Sequence, residues 1–181
     1  MHLHRIVLGL AFALLLPGIA SAASTDVRVA IVTDRGEIDV ALDPVRAPVT
    51  VKNFLRYVDG KFYSGGTFFR AIPGFVIQGG NKPREAPSDT PIPLEPPMKT
   101  GIRNTDGAIS MARTSDPNSA VSEFFICDGD QPRLDGGMND PGYAAFGHVV
   151  KGMDVVRAIA RMPASGQMLD TPVRIIRITR L

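Results

Sequence analysis

Apolar and polar positions alternate through residues 27–42 on either side of Asp34, Arg35 and Gly36, which predicts two strands joined by a tight turn. Between residues 47 and 60 the period lengthens. Val51, Phe54, Leu55 and Val58 fall three and four apart, with Pro48 near the start and Gly60 just past the end, so a helix is expected. The segments TFFRAI (67–72) and FVIQGG (75–80) read as strands, with Pro73 and Gly74 bending the chain between them. GAISMAR (107–113), SEFFIC (122–127) and YAAFGHVV (143–150) predict three more strands, and the polar TSDPNSAV (114–121) is a turn-rich connector. MDVVRAIARM (153–162) places Val155, Val156, Ile159 and Ala160 on one helical face, and VRIIRITRL (173–181) closes the pattern as an alternating strand.

Residues 82–106 break this regularity. Six of the 15 prolines fall between Pro83 and Pro97, so neither continuous strand nor helix is expected. The elements total about eight short strands and two helices, with no strand–helix–strand alternation. A mainly β domain follows. A closed antiparallel barrel with helices over its ends fits best, although periodicity alone leaves a sandwich open.

The N-terminus follows another pattern. His2, His4 and Arg5 precede an apolar run at residues 6–16, which Pro17 and Gly18 interrupt before Ala20, Ser21 and Ala22. The run is short for a membrane span and has the flanks and small residues of a secretory signal. A buried N-terminal helix is the alternative, and Pro17 and Gly18 speak against it. No cysteine follows the small residues, so no lipid anchor is expected. The expectation is a signal peptide at 1–22, one domain at 23–181, and a periplasmic or secreted location.

Composition then removes chemistries. The chain has 20 Lys and Arg against 18 Asp and Glu, which leaves no electrostatic footprint for nucleic acid or an anionic membrane. Cys127 is the only cysteine, so no internal disulfide can form, and inside EFFICDG it reads as core packing. Once the signal is removed, His148 is the remaining histidine, and no serine sits in a G-x-S-x-G elbow. No His/Cys metal cluster and no phosphate-binding glycine loop can be assembled, so no metal or cofactor is expected. What remains is an arginine and a glutamine set among phenylalanines, in FFRAIPGFVIQGGN.

That segment, followed in order by GAISMAR, SEFFIC, LDGG and YAAFGHVVKGMDVV, resembles the signature segments of the cyclophilin-type peptidyl-prolyl isomerases. The resemblance covers nearly the whole of residues 23–181. It implies a closed eight-stranded antiparallel barrel capped by two α-helices, with an active groove on its outer surface. It implies a cofactor-free isomerase acting on X-Pro bonds, as a monomer, in proline-containing peptides and in unfolded or folding protein clients.

By position, Arg70 matches the family's catalytic arginine, and Gln78 the amide that orients it. Phe75, Val76, Phe125 and Leu134 match the proline-pocket wall, Ala112 the groove floor, and Arg113 a substrate-pairing position. The residues by themselves also allow core phenylalanines and a solvated strand arginine. Strict alternation would put Phe75 and Gln78 on opposite faces, which only a bulge or the resemblance itself reconciles.

Four positions depart from the family pattern. Phe69 replaces a common histidine, Tyr143 a pocket-edge histidine, Arg133 a tryptophan tied to cyclosporin binding, and Glu123 a glutamine. Glu123 falls on a strand lining the groove, as a substrate-binding candidate, and is expected to pair with Arg113 rather than Arg70. Two other readings share these residues: a proline-binding chaperone of poor turnover, and a hydrolase built on His148.

Overall fold

The computed structural model describes residues 27–81 and 90–181; the predicted signal at 1–22 and residues 82–89 of the Pro-rich excursion lie outside the described residues. The first strands, β1 (Val27–Thr33) and β2 (Gly36–Leu42), pair antiparallel as the alternation predicts. Helix α1 (Pro48–Asp59) follows, with Pro48 in its first turn and Val51, Phe54, Leu55 and Val58 buried. Gly60 does not end it in a left-handed conformation; its φ is −74°, and Lys61 takes the positive φ of 56°.

Ala47 offers α1 no side-chain cap. Glu95 supplies one from a distant part of the chain. Its Oε1 accepts from the Val49 N–H at 3.1 Å, and its Oε2 from the Thr50 N–H at 2.8 Å and hydroxyl at 2.7 Å. A carboxylate here satisfies unpaired donors and faces the positive end of the helix dipole. The Pro-rich excursion is therefore tied to the fold near its end.

The remaining elements are β3 (Thr67–Ile72), β4 (Val76–Asn81), one helical turn α2 (Pro97–Thr100), β5 (Ala108–Met111), β6 (Phe124–Cys127), a short 3-10 helix (Pro132–Asp135), β7 (Ala145–Lys151), α3 (Met153–Ala160), β8 (Ala164–Ser165) and β9 (Met168–Arg180). Within the excursion expected to lack regular structure, α2 is a single turn and Ile92 makes one bridge to Ala120. The sheet runs β1-β2-β7-β5-β6-β4-β3-β9, and β9 pairs back onto β1, closing an eight-stranded antiparallel barrel; the two-residue β8 only extends the β9 hairpin. Helix α1 leaves from the Leu42 end of β2, while Val155 of α3 packs beside Gly36 at the other end.

Strand β9 departs from strict alternation. Val173, Ile175 and Ile178 are buried and Ile176 is exposed, because Arg177 opposes Val32 while Ile175 opposes Thr33. One residue is extra there, a bulge.

The period of two explains why β6 is apolar on both faces. Phe124 and Ile126 enter the barrel core, and Phe125 and Cys127 join a second apolar cluster outside it. Phe124 meets the Phe54, Tyr63 and Phe68 rings nearly edge-on at centroid distances of 5.5, 5.5 and 5.7 Å. Each such pair adds ~0.5–1.5 kcal/mol beyond its buried area. Gly80 makes room for this ring: it has φ of 98°, and a Cβ there would lie 2.8 Å from Phe124.

Candidate active site

The groove lies over the outer apolar cluster. In β3, Phe68 opposes Gly79 but Arg70 opposes Gln78, so Phe69 is the extra residue of a bulge. The bulge lets Phe68 stay in the core while Arg70 faces the groove. In β4, Val76 and Gln78 share the outer face and Ile77 points inward. Phe75 precedes the strand, in the turn after Pro73 and Gly74, and so escapes the alternation that would oppose it to Gln78.

Arg70, Phe75, Val76 and Gln78 line one cleft of about 160 Å³ with Ala112, Arg113, Phe125, Leu134 and Tyr143. Every candidate but Glu123 is therefore on its wall. The Phe125 and Tyr143 rings meet edge-on at 5.7 Å.

Arg70 is held by two neutral amides. Its Nη1 donates to Gln78 Oε1 at 2.9 Å and its Nε to Gln167 Oε1 at 2.8 Å. Its Nη2 makes no hydrogen bond among the described residues. Gln78 in turn donates from Nε2 to Glu123 Oε2 at 3.0 Å. Because an ionised carboxylate only accepts, this bond turns the Gln78 oxygen toward Arg70.

The expected Glu123–Arg113 pairing is not formed. Arg113 donates to Asp140 Oδ1 at 2.6 Å, to the Gly142 carbonyl at 3.1 Å and to the Thr114 carbonyl at 2.9 Å. Its guanidinium also lies 4.3 Å from the centre of the Tyr143 ring, and its side chain is only 4% exposed. Asp140 lies on the loop just before Tyr143, so it reaches Arg113 from that side of the cleft.

Three supports escape a reading of the sequence. Gln167 lies in the turn between β8 and β9 and gives no signal beyond that of a polar turn residue. Asp128, 4% exposed, accepts from the Gly74 N–H at 2.9 Å and so fixes the turn carrying Phe75. Asn104, 1% exposed, donates from Nδ2 to the carbonyls of Leu134 at 3.0 Å and Tyr143 at 3.3 Å, and accepts from the Ser110 hydroxyl at 2.6 Å. One buried amide thus anchors two walls of the pocket.

Asp135 completes this anchor, accepting from the Asn104 N–H at 2.7 Å and from Arg103 Nε at 2.9 Å. Burial raises its pKa, but the bonds from Asn104 and Arg103 outweigh burial and hold the carboxyl below its ordinary value. Cys127 behaves oppositely. Burial, then the negative charges of Asp135, Asp106 and Asp130, push its thiol up to about 12, so it stays protonated and packs behind the pocket.

The His148 side chain is exposed on β7 and makes no hydrogen bond among the described residues, so it activates no serine or cysteine there. No cluster of three or more potential metal ligands occurs among the described residues.

The family model described as cyclophilin type peptidyl-prolyl cis-trans isomerase/CLD matches residues 28–180. Peptidyl-prolyl cis-trans isomerase A of Dickeya dadantii (strain 3937) is 47% identical over 144 residues, covering 79% of this chain and 76% of its own. A peptidyl-prolyl cis-trans isomerase of Acinetobacter baylyi is 40% identical over 163 residues, covering 88% and 87%. A solved cyclophilin type isomerase of Cryptosporidium parvum superposes with a TM-score of 0.75 at 24% identity, covering 86% of this chain and 98% of that one, a likeness of fold.

Proposed function

The chain belongs to the cyclophilin-type peptidyl-prolyl cis-trans isomerases, and on that premise we propose that Arg70 carries its catalysis of rotation about X-Pro bonds. The barrier to be lowered, ~18–20 kcal/mol, comes from amide resonance. No bond is broken and no proton has to move, which suits a cleft whose described lining holds no carboxylate, histidine or thiol.

The proline ring occupies the apolar wall of Phe75, Phe125 and Leu134. As the C–N bond twists, the prolyl nitrogen regains its lone pair and accepts a hydrogen bond that it cannot accept when planar. A guanidinium N–H directed there acts more strongly in the transition state than in the ground state. Such a charged bond, at ~1.5–3 kcal/mol, gives roughly ten- to a hundredfold. The apolar pocket contributes the rest by excluding water and selecting twisted conformers.

The observation that carries this reading is the anchoring of Arg70 by two amide oxygens on the wall of the cleft, with Nη2 making no hydrogen bond among the described residues. Neutral acceptors fix the guanidinium without neutralising it. Arg70→Ala should lower kcat/KM on an X-Pro peptide at least about tenfold with little change in melting. Undiminished activity in that variant would refute the assignment.

The natural clients, on this reading, are folding proteins beyond the cytoplasmic membrane, met by a monomer. Support comes from the apolar run at 6–16 and the small residues at 20–22. Intact mass of the protein recovered from an exporting host should show loss of about 22 residues. A full-length, membrane-retained product would overturn the export reading.

A further inference from the structure

Three clefts on this surface run into one another. The proline pocket shares Arg113 and Tyr143 with a second cleft bordered by Thr114, Ser115 and Asn139. That cleft shares Asn139, Asp140 and Pro141 with a third, whose lining includes Pro96, Met98 and Met138. The lining changes along the way, from phenylalanine and leucine framed by Arg70, Gln78 and Arg113, through hydroxyl and amide groups, to methionines at the far end.

The methionines are presented rather than buried. Met138 is fully exposed and Met98 is 86% exposed. Met138 stands on a loop closed around Asp140: the Gly137 N–H donates to the Asp140 carbonyl at 2.7 Å, and the Gly142 N–H to Asp140 Oδ1 at 2.8 Å. Gly142, with φ of 84°, lets the two ends of the loop touch, since a Cβ there would lie 2.6 Å from the Leu134 carbonyl oxygen. Arg113 then ties Asp140 to the wall of the proline pocket at 2.6 Å. Met98 stands on α2, opposite this loop across the third cleft.

We propose that these clefts form one track for an unfolded polypeptide, with its proline in the inner pocket and an apolar side chain further along the same chain held between Met98 and Met138. The proposal rests on reading the inner cleft as the proline site. Continuity with that site identifies the occupant, because a chain leaving the pocket past Arg113 and Tyr143 enters the second cleft directly. The middle section suits peptide backbone, since Ser115 and Asn139 offer a hydroxyl and an amide to an extended chain. Methionine suits the far end because an unbranched, polarizable side chain adapts to apolar groups of different shapes. A folding catalyst meeting many sequences needs that tolerance. Of the charged groups on the third cleft, Asp135 and Asp140 are each paired with an arginine, Arg103 and Arg113, and Lys99 stands beside the methionines.

The test compares two substrates for the wild type, Met138→Ser, and Met98→Ser with Met138→Ser. One is an X-Pro tetrapeptide, too short to reach the methionines; the other is a reduced, carboxymethylated protein whose refolding is limited by prolyl isomerisation. The double variant should keep tetrapeptide kcat/KM within about 1.5-fold and lose at least about fivefold on the protein. Unchanged protein rates would overturn the track, and so would equal losses on both substrates. A wild type inactive on the tetrapeptide would instead sink the functional reading. Sedimentation showing a dimer that Met138→Ser dissociates would give this surface to a second copy and also overturn the proposal.

Discussion

Arg70 works only if its guanidinium is held in one plane, and the two amides that hold it can be removed separately. A free arginine side chain carries about 2 kcal/mol of rotamer entropy, part of which must be suppressed before the transition state can be met. The two bonds differ in exposure: the one to Gln78 is partly buried, and the one to Gln167 faces water. A shielded charge-assisted bond contributes ~1.5–3 kcal/mol, whereas water replaces much of an exposed one and leaves ~0.5–1 kcal/mol. Gln167→Ala should therefore lower kcat/KM about threefold and Gln78→Ala about tenfold or more. Because both restrain one group, the double variant should lose less than the product of the two. Protease-coupled isomerisation of an X-Pro tetrapeptide gives the rates. Thermal melts serve as the control, and Gln167→Ala should leave Tm within about 2 °C of wild type because the side chain is exposed. A Gln167→Ala rate within about 1.5-fold of wild type, or a loss larger than that of Gln78→Ala, would refute the clamp.

Two further expectations concern stability. Glu95→Ala removes the cap of α1 and should cost about 1–2 kcal/mol, seen as a fall in Tm of roughly 3–6 °C with tetrapeptide activity retained. Asp135 has a folded-state pKa held below its unfolded value, so it stabilises the fold fully above about pH 4, and that contribution is lost as pH falls through the depressed value. Urea unfolding between pH 3 and 6 should show a shallower acid loss in Asp135→Asn than in wild type, and parallel curves would contradict the assignment.

Where alternation and helical spacing were strong, the chain could be read directly. FFIC shows why: each of its four side chains has an apolar destination, two inside the barrel and two behind the pocket. Arg70 and Gln78 stood out because polar groups in an apolar strand require a reason. Gln167, Asn104 and Asp128 did not, since polar residues in turns are ordinary and their partners lie far away in sequence: 97 residues from Gln167 to Arg70, and 54 from Asp128 to Gly74. The Glu123 pairing failed for a similar reason. Position on a strand indicated which charges were near, but Asp140, on a loop that periodicity does not describe, had already taken Arg113. Bulges at Phe69 and Ile176 were invisible because each inserts one residue without changing the local composition.

The closure of β1 on β9 has a consequence for how the chain comes into being. Val29 pairs with Arg180, and the Leu181 N–H donates to the Arg28 carbonyl at 3.0 Å, so the first strand of the barrel waits for the residues of β9, which are synthesised long after it. Until they arrive, β1 and β3 each lack the neighbour that β9 provides, and both are open to pairing with other chains. Contacts joining such distant positions also slow folding, because the loop between them must close first. A protein whose own barrel is exposed to misassembly in this way spends its nascent life in need of the kind of protection that folding assistants give others.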